Sequence, residues 1–172
     1  SRIDELRASG GDLETAKQNR EAFREEIERF EDGIDLLVEH DAARQSFRLM
    51  NRTFDRKVLN DDGIRDYDSW RLFQIVYIVA NLRDIVARTD NTVKSDTSEE
   101  ISRIWFPTGG GKTEAYLGLM IFNMLFDRIR GKNFGVTSMM RYPLRLLSLQ
   151  QFQRITELIM YADEIRREES LG

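Results

Sequence analysis

The chain has no cysteine and a single histidine, and these two shortages remove several chemistries at once. Without cysteine there is no disulfide framework, no thiol nucleophile and no thiolate-ligated zinc. With His40 alone, neither a paired-histidine metal site nor a Ser-His-Asp triad can be assembled inside the chain. His40 stands in Val38-Glu39-His40-Asp41 and is expected to be a solvated residue near a helix boundary. No apolar run approaches the roughly 20 residues of a membrane span, and no signal peptide is visible. The cytoplasm is therefore the expected setting, with no membrane partner. An excess of positive charge is also lacking: 26 Lys and Arg against 30 Asp and Glu give a net charge of −4. That balance does not advertise a nucleic-acid binder, although bulk charge can hide a local patch.

What is present supports a folded protein. With 172 residues, 41% hydrophobic and 33% charged, the chain suffices for one domain, or a domain with an appendage, around a sizeable core. Charge is unevenly spread. Arg128, Arg130, Lys132, Arg141, Arg145 and Arg154 follow one another with no acidic residue between Arg128 and Arg154, whereas Glu and Asp dominate the N-terminal segment. The chain opens at Ser1 and closes at Leu171-Gly172, which suggests a segment of something longer.

Periodicity organises the chain into helices. Beyond Gly10-Gly11, the residues Leu13, Ala16, Phe23, Ile27 and Phe30 share one helical face, and Asp32-Gly33 is a place to break or kink that helix. Asp41 is a plausible N-cap for a helix carrying Phe47, Met50, Phe54 and Val58. Asn60-Asp61-Asp62-Gly63 predicts a turn, and residues 66–88 a strongly apolar helix buried against a sheet. Residues 89–100 are polar and aperiodic, a loop and the best candidate for local disorder. A strand over 101–106, a helix over 113–130 with Leu117, Met120, Ile121, Met124 and Leu125 in one stripe, and a strand over 134–140 then suggest a βαβ unit. A last helix over 144–167 would turn Leu149, Phe152, Ile155 and Ile159 inward. The expected fold class is α/β, with an α-helical N-terminal extension over 1–63 and a parallel-sheet unit over 64–172.

The junction of the first strand with the following helix carries the chemistry. Phe106-Pro107-Thr108-Gly109-Gly110-Gly111-Lys112-Thr113 has the composition of a phosphate loop. Successive glycines let backbone N–H groups converge on phosphate oxygens, where side chains would block the approach. Lys112 would reach the β- and γ-phosphates, and the Thr113 hydroxyl would complete a Mg²⁺ shell. The helix start adds free donors and partial positive charge. Thr108, Gly109, Gly110, Gly111, Lys112 and Thr113 are thus the candidate ATP-binding residues, with Lys112 and Thr113 also the catalytic candidates. Phe106 stands where the general pattern has a glycine, which disfavours strict kinases and small GTPases. Asp163-Glu164 has the composition of a Mg²⁺-holding acidic pair, but it lies in a helical pattern instead of ending a strand and is rejected as catalytic.

Pro-Thr-Gly-Gly-Gly-Lys-Thr resembles motif I of superfamily 2 helicases and translocases. In that light Met140-Arg141-Tyr142-Pro143-Leu144-Arg145-Leu146-Leu147-Ser148 looks like motif Ia, the edge that holds a nucleic-acid backbone, making Arg141, Arg145 and Ser148 the candidate contacts. Upstream, Trp70-Arg71-Leu72-Phe73-Gln74 resembles the aromatic-plus-Gln element, which implies that Gln74 reads adenine with Arg71 near the base. The run from Ile104 to Arg154 resembles more specifically the large DrmA-like helicases of the bacterial DISARM anti-phage system, and Asn51 in the helical leader is compatible with them. Pro143 replaces the Thr usual in the Tyr-Thr-Leu-Arg element, removing a hydroxyl from that edge. The resemblance implies a partial P-loop RecA-like lobe, ATP and Mg²⁺ as cofactors, DNA as substrate, and a partner subunit in a defence complex. It also places the Walker B acid, the arginine fingers and a second lobe beyond Gly172, so this stretch alone is not expected to hydrolyse ATP. Two other readings compete: an RNA-directed or protein-remodelling ATPase, and a nucleotide-binding scaffold whose N-terminal helices dock a partner.

Overall fold

The computed structural model describes residues 13–57, 69–97, 102, 111–141 and 145–171. Among these the regular structure is helical: α1 (Leu13–Glu39), α2 (Asp41–Lys57), α3 (Leu72–Ala87), α4 (Lys112–Ile129) and α5 (Arg145–Glu168). No strand occurs among the described residues, so the expected α/β architecture, a RecA-like parallel sheet behind a helical extension, is corrected to helix-on-helix packing. The expected strand over 101–106 lies outside the described residues except for Ser102, as do the Asn60–Gly63 turn and Val58.

Residues 134–140 show why the sheet expectation fails. They run without helix or strand, and Phe134 (90% exposed), Val136 (79%) and Met139 (88%) face solvent with no paired neighbour. Apolar alternation marks a strand only when another strand lies alongside, and that pairing is non-local. Here side chains anchor the segment to α4 instead. The buried Asp127 carboxylate accepts from Lys132 Nζ at 2.6 Å and from Thr137 Oγ1 at 2.5 Å, and Asn123 Nδ2 donates to the Thr137 carbonyl at 3.4 Å.

α4 is the central element and packs against α2, α3 and α5. A helix covering one face of a sheet needs one apolar stripe. α4 buries more: beside Leu117, Met120, Ile121 and Leu125 it also buries Ala115, Gly118, Phe122 and Phe126. Phe122 and Phe126 stack on each other at 5.9 Å with rings 7° from parallel. The all-round apolar character of α3 has the same cause, since that helix lies between α1 and α4 rather than against a sheet. Leu36, Met50 and Phe54 join Ile78, Leu82, Phe122, Leu158 and Ile165 in one continuous hydrophobic cluster.

Gly33 does not break α1. The helix runs through it, and a Cβ at Gly33 would lie 2.0 Å from the Val79 carbonyl oxygen of α3. The glycine is a crossing point that lets two backbones touch. The face of α5 also differs from expectation: Leu158, Ala162 and Ile165 are the buried positions, Ile155 and Ile159 are half-buried, and Leu149 and Phe152 are exposed. Along its C-terminal half α5 meets α2 through exposed ion pairs of Arg52 and Arg56 with Glu164, Glu168 and Glu169. Arg56 holds the Glu168 carboxyl below its ordinary range.

Residues 89–97, expected to be loosely held, are tied down by two buried or half-buried carboxylates. Asp84 accepts from Arg29 (2.6 Å), Ser95 Oγ and Thr97 Oγ1 (2.8 Å), joining α1, α3 and the loop. Asp90 accepts from Thr92 Oγ1 at 2.7 Å and from the Thr92 N–H at 3.0 Å, and lies 3.3 Å from His40 Nε2. His40 is not the solvated residue expected. Its Nδ1 accepts the Ala43 N–H at 3.2 Å, which caps the start of α2, so Nε2 carries the hydrogen donated to Asp90.

Candidate functional site

Gly111 immediately precedes α4 with φ +89° and ψ 26°, in the left-handed region where a glycine is free and other residues are strained. Lys112 and Thr113 form the first turn of α4, so the tight turn, the lysine and the hydroxyl residue arrive at one helix N-terminus. The N–H groups of a helix's first turn have no partner within the helix, and with the partial positive charge there they suit an anion. Thr108, Gly109 and Gly110, the remainder of the candidate phosphate loop, lie outside the described residues.

Gln74 reaches this turn from α3. The side chain is 5% exposed; its Oε1 accepts the Arg71 N–H and its Nε2 donates to the Gly111 carbonyl, both at 2.8 Å. One amide thus closes the first turn of α3 and pins the glycine that opens α4. A Cβ on Gly111 would sit 2.7 Å from Gln74 Nε2, so only glycine admits this contact. Each end of the amide retains one further hydrogen-bonding capacity, one N–H and one lone pair. Arg71 is exposed at the N-cap position of α3. The entry to that helix is set by Trp70, whose Nε1–H donates to Asn51 Oδ1 at 2.7 Å while its ring lies 4.5 Å from that of Phe54.

One neighbour of this turn escaped the motif reading. Glu114 follows Thr113 in the first turn of α4, largely buried, and its carboxylate pairs with Arg154 of α5. Its Oε2 also lies 3.4 Å from where a Gly111 Cβ would stand. Adjacency to Gly-Lys-Thr was the available signal for Glu114; nothing local ties it to a residue 40 positions away.

The basic stretch is less free than its sequence suggests. Arg130 lies 3.5 Å from Asp90, Lys132 meets Asp127, and Arg154 meets Glu114, so three of its six charges face acids supplied from outside the stretch. Arg128 donates to the Lys132 carbonyl and to Asn133 Oδ1. Arg141 is exposed, at the end of the 134–141 segment. Arg145 and Ser148 lie in the first turns of α5, their side chains outside the described residues. Asp163 lies in α5 with Arg166 and Arg167 as its partners, and Glu164 faces Arg56. Among the described residues no helix is long and apolar enough to cross a membrane.

A helix whose glycine-forced N-terminus presents Lys-Thr, latched by a buried glutamine from a neighbouring helix, has the character of an anion-binding turn. In sequence the chain is similar to the DISARM protein DrmA of Bacillus paralicheniformis, with 32% identity over 163 residues, a match that supports a DrmA-like relationship. The match takes in 82% of this chain and 14% of the relative's length. No family model and no solved structure matches the chain.

Proposed function

We propose that the chain is the Mg-ATP-binding segment of a DNA helicase or translocase that serves bacterial phage defence in the manner of DISARM. The observation that carries this reading is the Gly111-Lys112-Thr113 turn, held by Gln74 at the N-terminus of a central helix. Lys112 supplies charge to the β- and γ-phosphates, and backbone N–H groups of the first turn of α4 donate to phosphate oxygens. The donor set suits Mg²⁺: the Thr113 hydroxyl gives one oxygen at a half-exposed position, and this ion takes its remaining ligands from phosphate and water. When bound, Mg²⁺ neutralises charge that builds on the phosphates. Gln74 holds the turn and offers its remaining amide capacity to adenine, with Arg71 at the mouth of the site. Arg141, Arg145 and Ser148 contact a DNA backbone along the start of α5, and a partner subunit completes the complex. The similarity to DrmA supports the defence role.

ATP hydrolysis by the longer polypeptide of which this chain is proposed to be the ATP-binding segment, measured with and without single-stranded DNA and beside Lys112→Ala, tests the proposal. Hydrolysis raised by DNA and lost in the variant is expected. ATP binding without hydrolysis under either condition would sink the motor.

A second reading has its own observation. Phe23, Ile27, Ile34 and Val38 are exposed along α1, at spacings that share one helical face. A nucleotide-ordered scaffold would dock a partner there, and Lys112→Ala would then leave partner capture intact.

A further inference from the structure

α5 is buried along its C-terminal half and less so along its N-terminal half. Leu158, Ala162 and Ile165 bury the C-terminal half of α5, and the ion pairs to α2 lie over the same half. Towards its N-terminal half, Met120 and Met124 of α4, Phe152 and Ile155 of α5, and Val136 and Met140 of the segment that follows α4 are among the residues lining a groove of 540 Å³. Outside that groove Arg154 of α5 crosses to Glu114 of α4. The acid it meets is one residue from Thr113 and 3.4 Å from the Cβ position of Gly111. A carboxylate so placed lies beside the path of any phosphate approaching the first turn of α4. Left uncompensated, it repels that phosphate through a half-buried medium where charges are poorly screened.

We propose that Arg154 is a positioning residue for the nucleotide site, acting by neutralising the Glu114 carboxylate and fixing it in place beside the first turn of α4. The inference rests on the nucleotide reading above and adds to it a specific electrostatic requirement. Arg154 itself touches no phosphate; its effect passes through Glu114. Removing the arginine therefore weakens nucleotide binding only while residue 114 carries charge. Because the pair joins α4 to the poorly packed half of α5, nucleotide occupancy also bears on the position of the helix that follows Arg141.

Titration calorimetry of the protein with Mg-ATP, carried out as a double-mutant cycle, tests this. Arg154→Ala is expected to weaken binding about tenfold, and Glu114→Gln with Arg154→Ala together to restore affinity to within about twofold of the native protein. Arg154→Lys, which keeps the charge and guards against a folding failure of the alanine variant, should retain most of the affinity. Urea midpoints for all variants separate a folding loss from a binding loss. If the double variant binds as weakly as Arg154→Ala, or Arg154→Lys as weakly as Arg154→Ala, the arginine does not act through Glu114 and the inference is overturned. If the native protein itself binds no Mg-ATP, the nucleotide reading falls and carries this inference with it.

Discussion

Gly111 and Asp90 show how much can hang on a single residue. Gly111 combines a positive φ with a neighbour, Gln74 Nε2, standing where a side chain would begin. Gly111→Ala should cost about 1–3 kcal/mol in strain and weaken Mg-ATP binding at the same time, readable as a lower urea midpoint and a higher Kd. An alanine variant with native stability would mean that the turn relaxes freely. Asp90 is held down to about 2 from an ordinary 3.8, first by the Thr92 hydroxyl and N–H and then by His40 and Arg130. A carboxyl whose folded value is depressed contributes its stability fully above the ordinary value and loses it as pH falls towards the folded one. Between about pH 4 and 2, therefore, the native protein should lose stability that Asp90→Asn does not lose. Parallel acid-unfolding limbs for the two proteins would remove the Asp90 cluster from the explanation.

Between elements, close approach and polar ties matter more than apolar area alone. α1 and α3 cross at Gly33, where the Val79 carbonyl leaves no room for a methyl group. Gly33→Ala must push the helices apart, with an expected loss of about 1–3 kcal/mol from overpacking, although in a free helix the same change would favour helix formation. A stability gain in urea unfolding would show that the crossing is looser than this. Asp84 performs a comparable task for the loop after α3, binding Ser95, Thr97 and Arg29 at once. The exposed α2–α5 ion pairs belong to a weaker class, each worth about 0–1 kcal/mol and reduced by salt.

For the molecule as a whole, the hydrophobic cluster runs from Leu36 to Ile165 without interruption. One core predicts one cooperative transition. Met50→Ala in α2 and Phe122→Ala in α4 should each cost about 2–5 kcal/mol of stability, for residues of this size, and each should lower the same urea midpoint. Circular dichroism that resolves into two transitions, one moved by each substitution, would separate α1 and α2 from the rest. The helix presenting Lys112 and Thr113 is packed against three others, α2, α3 and α5, which ties the candidate site to the core.

Sequence by itself determined most of the helices and the turn at Gly111, because both are local properties. Apolar periodicity placed α2, α4 and α5 within a few residues of their observed ends, and Gly111 before Lys112-Thr113 announced a turn, which the structure makes with a positive φ. Tertiary structure alone decided the rest. Whether residues 134–140 pair as a strand depends on a neighbour that no local pattern specifies, and Gly33 differs from a helix breaker only through Val79 lying against it. The charge of the basic stretch depends likewise on Asp90, Asp127 and Glu114, acids brought to it by the packing of α4. Periodicity and backbone preference act over a few residues, whereas pairing, close contact and charge compensation exist only once distant segments have met.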